Sequence, residues 1–174
     1  MKNINFKKKK SEAWFRDLRT KICEMLEEFE RTHGISDKFK KTYWKRNPES
    51  SKNQGGGEIS LLRGKIFEKA GVNISTVYGK FDKKFQKHIP GAEKDPTFWA
   101  SGISVVIHPF SPLIPAVHMN TRFIITSKHW FGGGADLTPT YKDTLQSKKV
   151  ATLFHNDLKK TCNEYKLGSY MKYK

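Results

Sequence analysis

The sequence predicts an α+β fold, because helical patterns at both ends of the chain flank a central region with the two-residue period of β-strands. Residues 11–33 and 143–167 place apolar side chains at three- and four-residue steps, the spacing of amphipathic helices. Between them, apolar and polar side chains alternate or β-branched residues cluster, as in strands. The predicted strands lie within residues 59–79, 103–108 and 116–125.

Composition excludes several other classes of protein. The chain has 174 residues, of which 36% are hydrophobic and 13% aromatic, whereas disordered chains are poor in aromatic residues. No apolar run approaches the about 18–20 residues of a membrane span, and the N-terminal segment does not resemble a signal peptide. Cys23 and Cys162 are far apart with no CxxC pair. Neither a disulfide scaffold nor a zinc finger is therefore predicted, and the expected location is the cytoplasm.

The formal net charge of +16 is spread along the chain. Only six of the 33 basic residues are arginine, whereas recognition of bases and phosphates favours the bidentate arginine fork. A nucleic-acid partner is therefore not expected; a lysine-rich surface, or a field that attracts a polyanionic small molecule, explains the charge. The compact run Lys7–Lys10 predicts a solvated basic tail over residues 1–10, ahead of a domain over residues 11–174.

The first helix is predicted to start with Ser11 as its N-cap and to stop at Gly34. Its apolar stripe is expected to pack on the rest of the fold, and it consists of Trp14, Leu18, Ile22, Met25 and Phe29, joined by Phe15 and Leu26. The polar, glycine-rich residues 45–58 predict a loop, and residues 80–97 predict a charged connection with turns at Pro90-Gly91 and Asp95-Pro96.

The two strands at 103–108 and 116–125 each divide their side chains between two faces. One face holds mostly apolar residues: Ile103, Val105 and Ile107 on the first strand, and Val117, Met119, Thr121, Phe123 and Ile125 on the second. The other holds Ser104, Val106 and His108, then His118, Asn120 and Arg122. An imidazole, an amide and a guanidinium opposite an apolar face predict a lined cavity; a sheet face open to water is the alternative.

The next segment, 129–139, places three glycines after two aromatic residues. Gly132, Gly133 and Gly134 allow a backbone to approach a ligand or another strand closely. Asp136 follows and can accept hydrogen bonds from a ligand or cap a turn. From the residues alone a turn is the favoured interpretation. The second helical pattern then runs from Asp143 to Leu167, with Gly168 as its stop.

Four blocks of this sequence together resemble the oxygen-dependent coproporphyrinogen III oxidase family, in the order and at the distances typical of that family. They are Gly71–Gly79, Gly102–Pro109, Pro115–Phe123 and Trp130–Tyr141, and the upstream segments 55–58 and 67–71 extend the match. The resemblance covers about residues 12–174. It implies a large antiparallel sheet flanked by helices on both faces, here incomplete at the C-terminus.

The resemblance also implies an activity: two propionates of coproporphyrinogen III are oxidatively decarboxylated to vinyl groups, giving protoporphyrinogen IX in heme biosynthesis. Oxygen is the co-substrate, carbon dioxide and hydrogen peroxide are released, and no organic cofactor is needed. The partners implied are coproporphyrinogen III and a second copy in a homodimer. A basic site suits this tetracarboxylate substrate.

Roles are implied residue by residue. His118 matches the catalytic acid/base; Ser104, Asn120, Thr121 and Arg122 match substrate-binding positions, and Asp136 is expected near the pyrrole nitrogens. In bacterial members a divalent metal, suggested to be manganese, is assigned to histidines that match His108, His118 and His155. For each histidine, a hydrogen-bonded structural role is the alternative, because no dense metal motif is present.

The family domain extends beyond this chain, and the missing part carries further strands, a later catalytic aspartate and the dimer segment. The isolated chain is therefore expected to be poorly soluble or loosely folded, and inactive, because strands without partners leave backbone N–H and C=O groups unpaired. A non-catalytic remnant that only binds a porphyrinogen or a partner is the alternative function.

Overall fold

A computed structural model describes residues 2–34, 37–165, 168 and 170–174, which form one antiparallel sheet with helices. The strands are β1 Lys40–Lys45, β2 Gly55–Leu62, β3 Phe67–Lys80, β4 Thr97–Pro109, β5 Ala116–Ile125 and β6 His129–Thr138. The helices are α1 Lys2–Thr32, α2 Lys83–Gln86, α3 Leu145–Glu164 and α4 Tyr170–Tyr173. The predicted α+β class and the antiparallel sheet are confirmed.

The six strands form a meander in which each strand pairs with the next along the chain, in the order β1-β2-β3-β4-β5-β6. Every neighbouring pair is antiparallel, and the connections from β2 to β3, β4 to β5 and β5 to β6 are too short for a parallel crossover. β3 and β4 are the longest strands, with 14 and 13 residues, and they form the centre of the sheet. The functional residues predicted on β4 and β5 therefore lie near the middle of the sheet.

Helix α1 covers one face of the sheet and builds the core. Phe15 and Leu26 of the helix pack into a buried cluster with Val72 of β3, Val105 of β4 and Phe123 of β5. Val105 and Phe123 belong to the apolar face that the two-residue alternation predicted for β4 and β5. Burial of this surface is the main stabilising contribution to the fold.

Two buried polar contacts fix how α1 is rotated against the sheet. Arg19 forms an ion pair with Glu58 of β2, and both side chains are almost fully buried. Glu30 is fully buried and accepts hydrogen bonds from the backbone N–H groups of Lys65 and Phe67 at 3.1 and 2.9 Å. A Cβ on Gly64 would collide with the Glu30 carboxylate, so glycine is required in this turn.

The start of α1 differs from the prediction. The helix begins at Lys2, so Lys7–Lys10 are helical, and the predicted start at Ser11 is wrong. Ser11 is buried inside the helix, where its hydroxyl donates to the Lys8 carbonyl at 2.9 Å. The buried face of α1 also differs from the predicted apolar stripe. Trp14, Met25 and Phe29 were expected to pack on the sheet, but about half of each side chain is exposed, because the contacts of Arg19 and Glu30 rotate the helix.

Two glycine-rich segments are strands where a loop or turn was predicted. Gly55–Glu58 begins β2, within the loop expected over 45–58, and 129–138 is strand β6. Pairing with β3 and β5 imposes the extended conformation on these glycines, although glycine has low intrinsic strand propensity. Strand β1 was also missed.

Helix α3 begins after Thr144, whose side chain accepts the Ser147 N–H. The predicted end of this helix, at Leu167, lies outside the described residues.

In the described part of the chain, only α1 packs substantially on the sheet, because α3 makes its main contacts with α4. The implied arrangement with helices on both faces is therefore not seen there. The second face of the sheet carries Ser104, His118 and Asn120, all half-buried, and is here named the open face. None of the described helices is long and apolar enough to cross a membrane.

Candidate active site

The sheet register brings the predicted site residues together on the open face. His118 of β5 lies directly opposite Asp136 of β6, and Asn120 lies between Ser104 of β4 and Gly134 of β6. Arg122 follows two residues later on the same face. Because opposite residues in neighbouring strands point to the same side, these polar groups form one continuous surface.

Three of these side chains form a hydrogen-bonded chain. His118 Nδ1 lies 2.8 Å from Asp136 Oδ1, and His118 Nε2 lies 3.0 Å from His108 Nε2. An ionised carboxylate only accepts hydrogen bonds, so the proton in the first contact belongs to His118 Nδ1. In its neutral form His118 then presents an unprotonated Nε2, which accepts from His108 or takes a proton from a substrate.

Asp136 is maintained as a carboxylate. The hydrogen bond from His118 lowers the pKa of Asp136 below its ordinary value, and a second hydrogen bond, from the Thr138 hydroxyl at 3.0 Å, acts in the same direction. Both bonds favour the charged form because they stabilise negative charge on the carboxylate oxygens. A fixed charge on Asp136 orients the His118 ring, as an acid–base group requires.

Arg122 is positioned by its neighbour on the same strand face. Its Nη2 donates to Asn120 Oδ1 at 2.8 Å, which restricts the guanidinium group although the side chain is exposed. The other N–H groups of the planar fork match the geometry of a carboxylate. This pair of side chains can therefore hold a carboxylate, two and four residues along the strand from His118.

A cavity of about 320 Å³ lies in the middle of this surface. Its lining includes Ser104, His118, Asn120, Gly134 and Asp136. A larger cavity of about 720 Å³ lies between α1 and the β1–β2 edge, and its lining includes Arg16, Tyr43, Arg46 and Glu58. The smaller cavity is the better candidate, because Glu58 is held in the ion pair with Arg19 whereas the smaller cavity contains an acid–base pair.

Two predicted site residues lie elsewhere. Thr121 is paired with Ile103 and Gly133, so its side chain belongs to the α1 side of the sheet and does not share the open face. His155 lies on α3, where its Nδ1 is 2.5 Å from the Tyr170 hydroxyl. Neither residue lines the 320 Å³ cavity.

The predicted metal ligands are only partly brought together. His108 and His118 face each other through their Nε2 atoms, but His155 is engaged by Tyr170. In residues 2–34, 37–165, 168 and 170–174, no three histidine, cysteine or acidic side chains converge as a metal site would require. The described residues therefore do not fit a complete three-histidine site.

Sequence reasoning missed Asn73 of β3. It lies opposite Ser104 on the open face, and its Oδ1 is buried without a hydrogen-bond partner in the described part of the chain. An unpaired buried carbonyl is costly and calls for an explanation. An asparagine between the apolar residues Val72 and Ile74, at the start of the strand-like run Val72–Gly79, is the sequence signal that could have revealed it.

A strand face that combines a carboxylate-binding arginine with an oriented histidine–aspartate pair is characteristic of an enzyme acting on an acidic ligand. Comparison with known proteins agrees with this class. The sequence profile described as coproporphyrinogen III oxidase matches residues 10–174. The chain belongs to the coproporphyrinogen III oxidase family.

Curated relatives carry the name oxygen-dependent coproporphyrinogen-III oxidase. Those from Rickettsia bellii (strain RML369-C), Rickettsia akari (strain Hartford) and Rickettsia felis (strain ATCC VR-1525 / URRWXCal2) are 47%, 48% and 49% identical to this chain. The matches cover 93%, 92% and 91% of the chain, respectively. The same matches cover 57%, 56% and 56% of the relatives, so the chain spans little more than half of their length.

Proposed function

We propose that this protein catalyses the oxidative decarboxylation of two propionates of coproporphyrinogen III, giving the two vinyl groups of protoporphyrinogen IX in heme biosynthesis. The observation that carries the proposal is the open face itself. On this face the hydrogen-bonded Arg122 and Asn120 side chains and the His118–Asp136 pair share one side of strand β5, at alternate positions 118, 120 and 122, which supports a substrate held by a carboxylate. Membership in the coproporphyrinogen III oxidase family supports the same activity.

Substrate positioning follows from the side chains on this face. Arg122 binds one carboxylate of the substrate through two parallel hydrogen bonds, while Asn120 holds the guanidinium in place. Ser104 lines the cavity and supplies a hydroxyl that donates or accepts. Holding the substrate by a carboxylate brings its reacting carbon atoms to a fixed distance from His118, which lowers the entropic part of the barrier.

The reaction balances for each propionate separately. The bond between the carboxyl carbon and its neighbouring CH2 breaks and releases carbon dioxide, a hydrogen with its electron pair leaves the CH2 attached to the pyrrole ring, and a vinyl group remains. Two electrons pass to one molecule of oxygen, which leaves as hydrogen peroxide after taking up two protons. His118 holds and moves a proton at Nε2 during these steps, because Asp136 keeps the other nitrogen protonated.

No step in this proposal passes through a metal, because the described residues do not complete the predicted histidine set. Manganese at His108, His118 and His155 stays a prediction. The homodimer and the cytoplasmic location, which the family resemblance and the cysteine content suggested, likewise stay predictions.

The test is turnover of coproporphyrinogen III by the purified protein, and it decides between this proposed activity and the inactivity expected above for the isolated chain. The substrate is incubated with protein in air and under nitrogen, and the products are oxidised to porphyrins and separated by chromatography. We expect protoporphyrin to form only in air, and much less of it with Arg122→Ala. The control is Arg63→Ala, which removes an exposed arginine located outside the strands.

Two other results would contradict the proposal. Binding of the substrate without any product in air would indicate the alternative function, a protein that only binds porphyrinogens. Equal turnover by Arg122→Ala and the unsubstituted protein would remove the carboxylate site from the mechanism.

A further inference from the structure

Strand β6 carries Gly132, Gly133 and Gly134 in its interior, where glycine weakens a strand. The three positions differ in what a side chain would meet. A Cβ on Gly133 would lie 2.2 Å from the backbone oxygen of Asn120, so the pairing of β5 and β6 requires glycine there. Crowding therefore explains one of the three glycines.

Crowding does not explain Gly134. A Cβ at this position would meet no atom within 4 Å, and the backbone is not in the left-handed region that favours glycine. At Gly132 a Cβ would meet only the Trp130 ring, at the ordinary contact distance of 3.9 Å. Nothing in the described part of the chain requires glycine at position 134, although a larger residue would suit a strand better.

Gly134 lies on the open face, opposite Asn120, and lines the same 320 Å³ cavity as His118 and Asp136. A side chain at Gly134 would rise from the floor of this cavity. Its absence leaves bare backbone between the acid–base pair and Arg122, which permits the close approach of a large group.

An independent observation on the same face also indicates a ligand. Asn73, Ser104, Asn120 and Gly134 lie opposite one another on four neighbouring strands. Strands lie about 4.8 Å apart, so this row spans roughly 14 Å. Asn73, at its far end, has a buried Oδ1 without a hydrogen-bond partner among the described residues. A ligand that carries N–H groups would supply the missing donor.

We infer that Gly134 is a specificity-determining residue that admits a ring-shaped tetrapyrrole to the open face. The ring lies along the row from Asn73 to Gly134, an N–H group of the ring faces Asn73, and a carboxylate reaches Arg122. Binding of a linear polycarboxylate requires Arg122 but does not require the absence of a side chain at position 134. This inference rests on the proposed function, because the tetrapyrrole is the substrate proposed there.

The test measures binding of two probes to the purified protein. Coproporphyrin III, followed by its fluorescence, is the ring-shaped probe, and tricarballylate, followed by calorimetry, is the linear one. We expect Gly134→Val to weaken coproporphyrin III binding by about tenfold or more, as overpacking of a fitted surface does. Gly134→Ala should act in the same direction with a smaller effect. Tricarballylate affinity should change less than about twofold, and the melting temperature should not fall.

Gly133→Ala is the matched control on the adjacent residue, and it should lower the melting temperature because of the clash with Asn120. Unchanged coproporphyrin III binding by Gly134→Val would overturn the inference while leaving the proposed function intact. Equal weakening of both probes together with a lower melting temperature would also overturn it, since the glycine would then be structural. If the unsubstituted protein binds no coproporphyrin III, the proposed function fails and this inference fails with it.

Discussion

Arg122 combines exposure with a fixed orientation. Asn120 accepts from one end of its guanidinium group, so the remaining N–H groups are already directed before a ligand arrives. Such pre-organisation reduces the conformational entropy that is lost on binding. Planar geometry, rather than positive charge alone, is therefore the property of Arg122 that the site uses.

The first prediction is that Arg122→Lys weakens carboxylate binding by about tenfold or more although the charge is kept. An ammonium group cannot reproduce two parallel hydrogen bonds to a carboxylate. The measurement is the affinity for coproporphyrin III, with Arg63→Lys as the control. Near-normal affinity in Arg122→Lys would show that charge alone is sufficient.

His118 is expected to act on the reacting atoms rather than in holding the substrate. His118→Ala should therefore lower kcat by about a hundredfold or more and change substrate affinity much less, since general acid–base catalysis contributes on that scale. Steady-state kinetics with coproporphyrinogen III give both quantities. A loss confined to substrate affinity would instead assign a positioning role to the imidazole.

Asp136 gives the site a pH dependence whose sign follows from its lowered pKa. The folded-state pKa lies below the unfolded value of about 3.9. Its contribution to stability is therefore complete above that value and is lost as the pH falls through the folded pKa. Asp136→Asn should remove this contribution, so its melting temperature should fall less steeply between about pH 5 and pH 3. Parallel curves for the two proteins would contradict the assignment.

Among the elements, α1 depends on a polar anchor as much as on apolar packing. Glu30 is fully buried and accepts three consecutive backbone N–H groups, those of Lys65, Ile66 and Phe67. This contact ties the helix to the turn between β2 and β3. Sequence patterns do not reveal it, because a glutamate near a helix end is usually exposed.

Glu30→Ala should lower the free energy of unfolding by about 1–3 kcal/mol, because it leaves the buried N–H of Phe67 and the part-buried N–H groups of Lys65 and Ile66 without their acceptor. Chemical denaturation measures the loss. Glu24→Ala changes an exposed glutamate of the same helix and should have little effect. Similar values for the two variants would show that the Glu30 contacts are not important for stability.

In the whole molecule, the two edge strands of the sheet, β1 and β6, differ in how well they are protected against pairing with another chain. Strand β1 carries Lys40, Lys41 and Lys45, and lysines on an edge oppose pairing with another chain. Strand β6 has no lysine, and its Phe131 is 63% exposed. Poor solubility and loose folding of the isolated chain both stay predictions, and an unprotected β6 edge would contribute to the first of them.

Phe131→Lys should therefore reduce self-association, and the melting temperature should fall only modestly, because the substitution also removes the stacking of Phe131 on Phe123. Size-exclusion chromatography with light scattering over a range of protein concentrations measures the association. Tyr43→Lys is the matched control, because Tyr43 is 76% exposed on the edge that lysines already protect. The explanation fails if the two substitutions change association equally.

Local alternation was enough to predict which residues of β4 and β5 share a face. Side chains alternate along any strand, so the union of Ser104, His118, Asn120 and Arg122 followed from their spacing alone. The matching blocks, read in their order, also identified the family. The shared face follows from the two-residue alternation of side chains, and the family follows from long matching sequence blocks. Both can be recognised without knowledge of tertiary contacts.

The remaining features of the fold and the site depend on contacts between residues that are distant in sequence. Pairing with β5 turned Gly132–Gly134 into a strand and placed Asp136 against His118, where local propensity favoured a turn. Buried contacts of Arg19 and Glu30 set the rotation of α1 against the sheet. Asn73 joined the site only because β3 and β4 pair in the observed register. Each depends on a partner far away in sequence, and a local pattern carries no information about that partner's position.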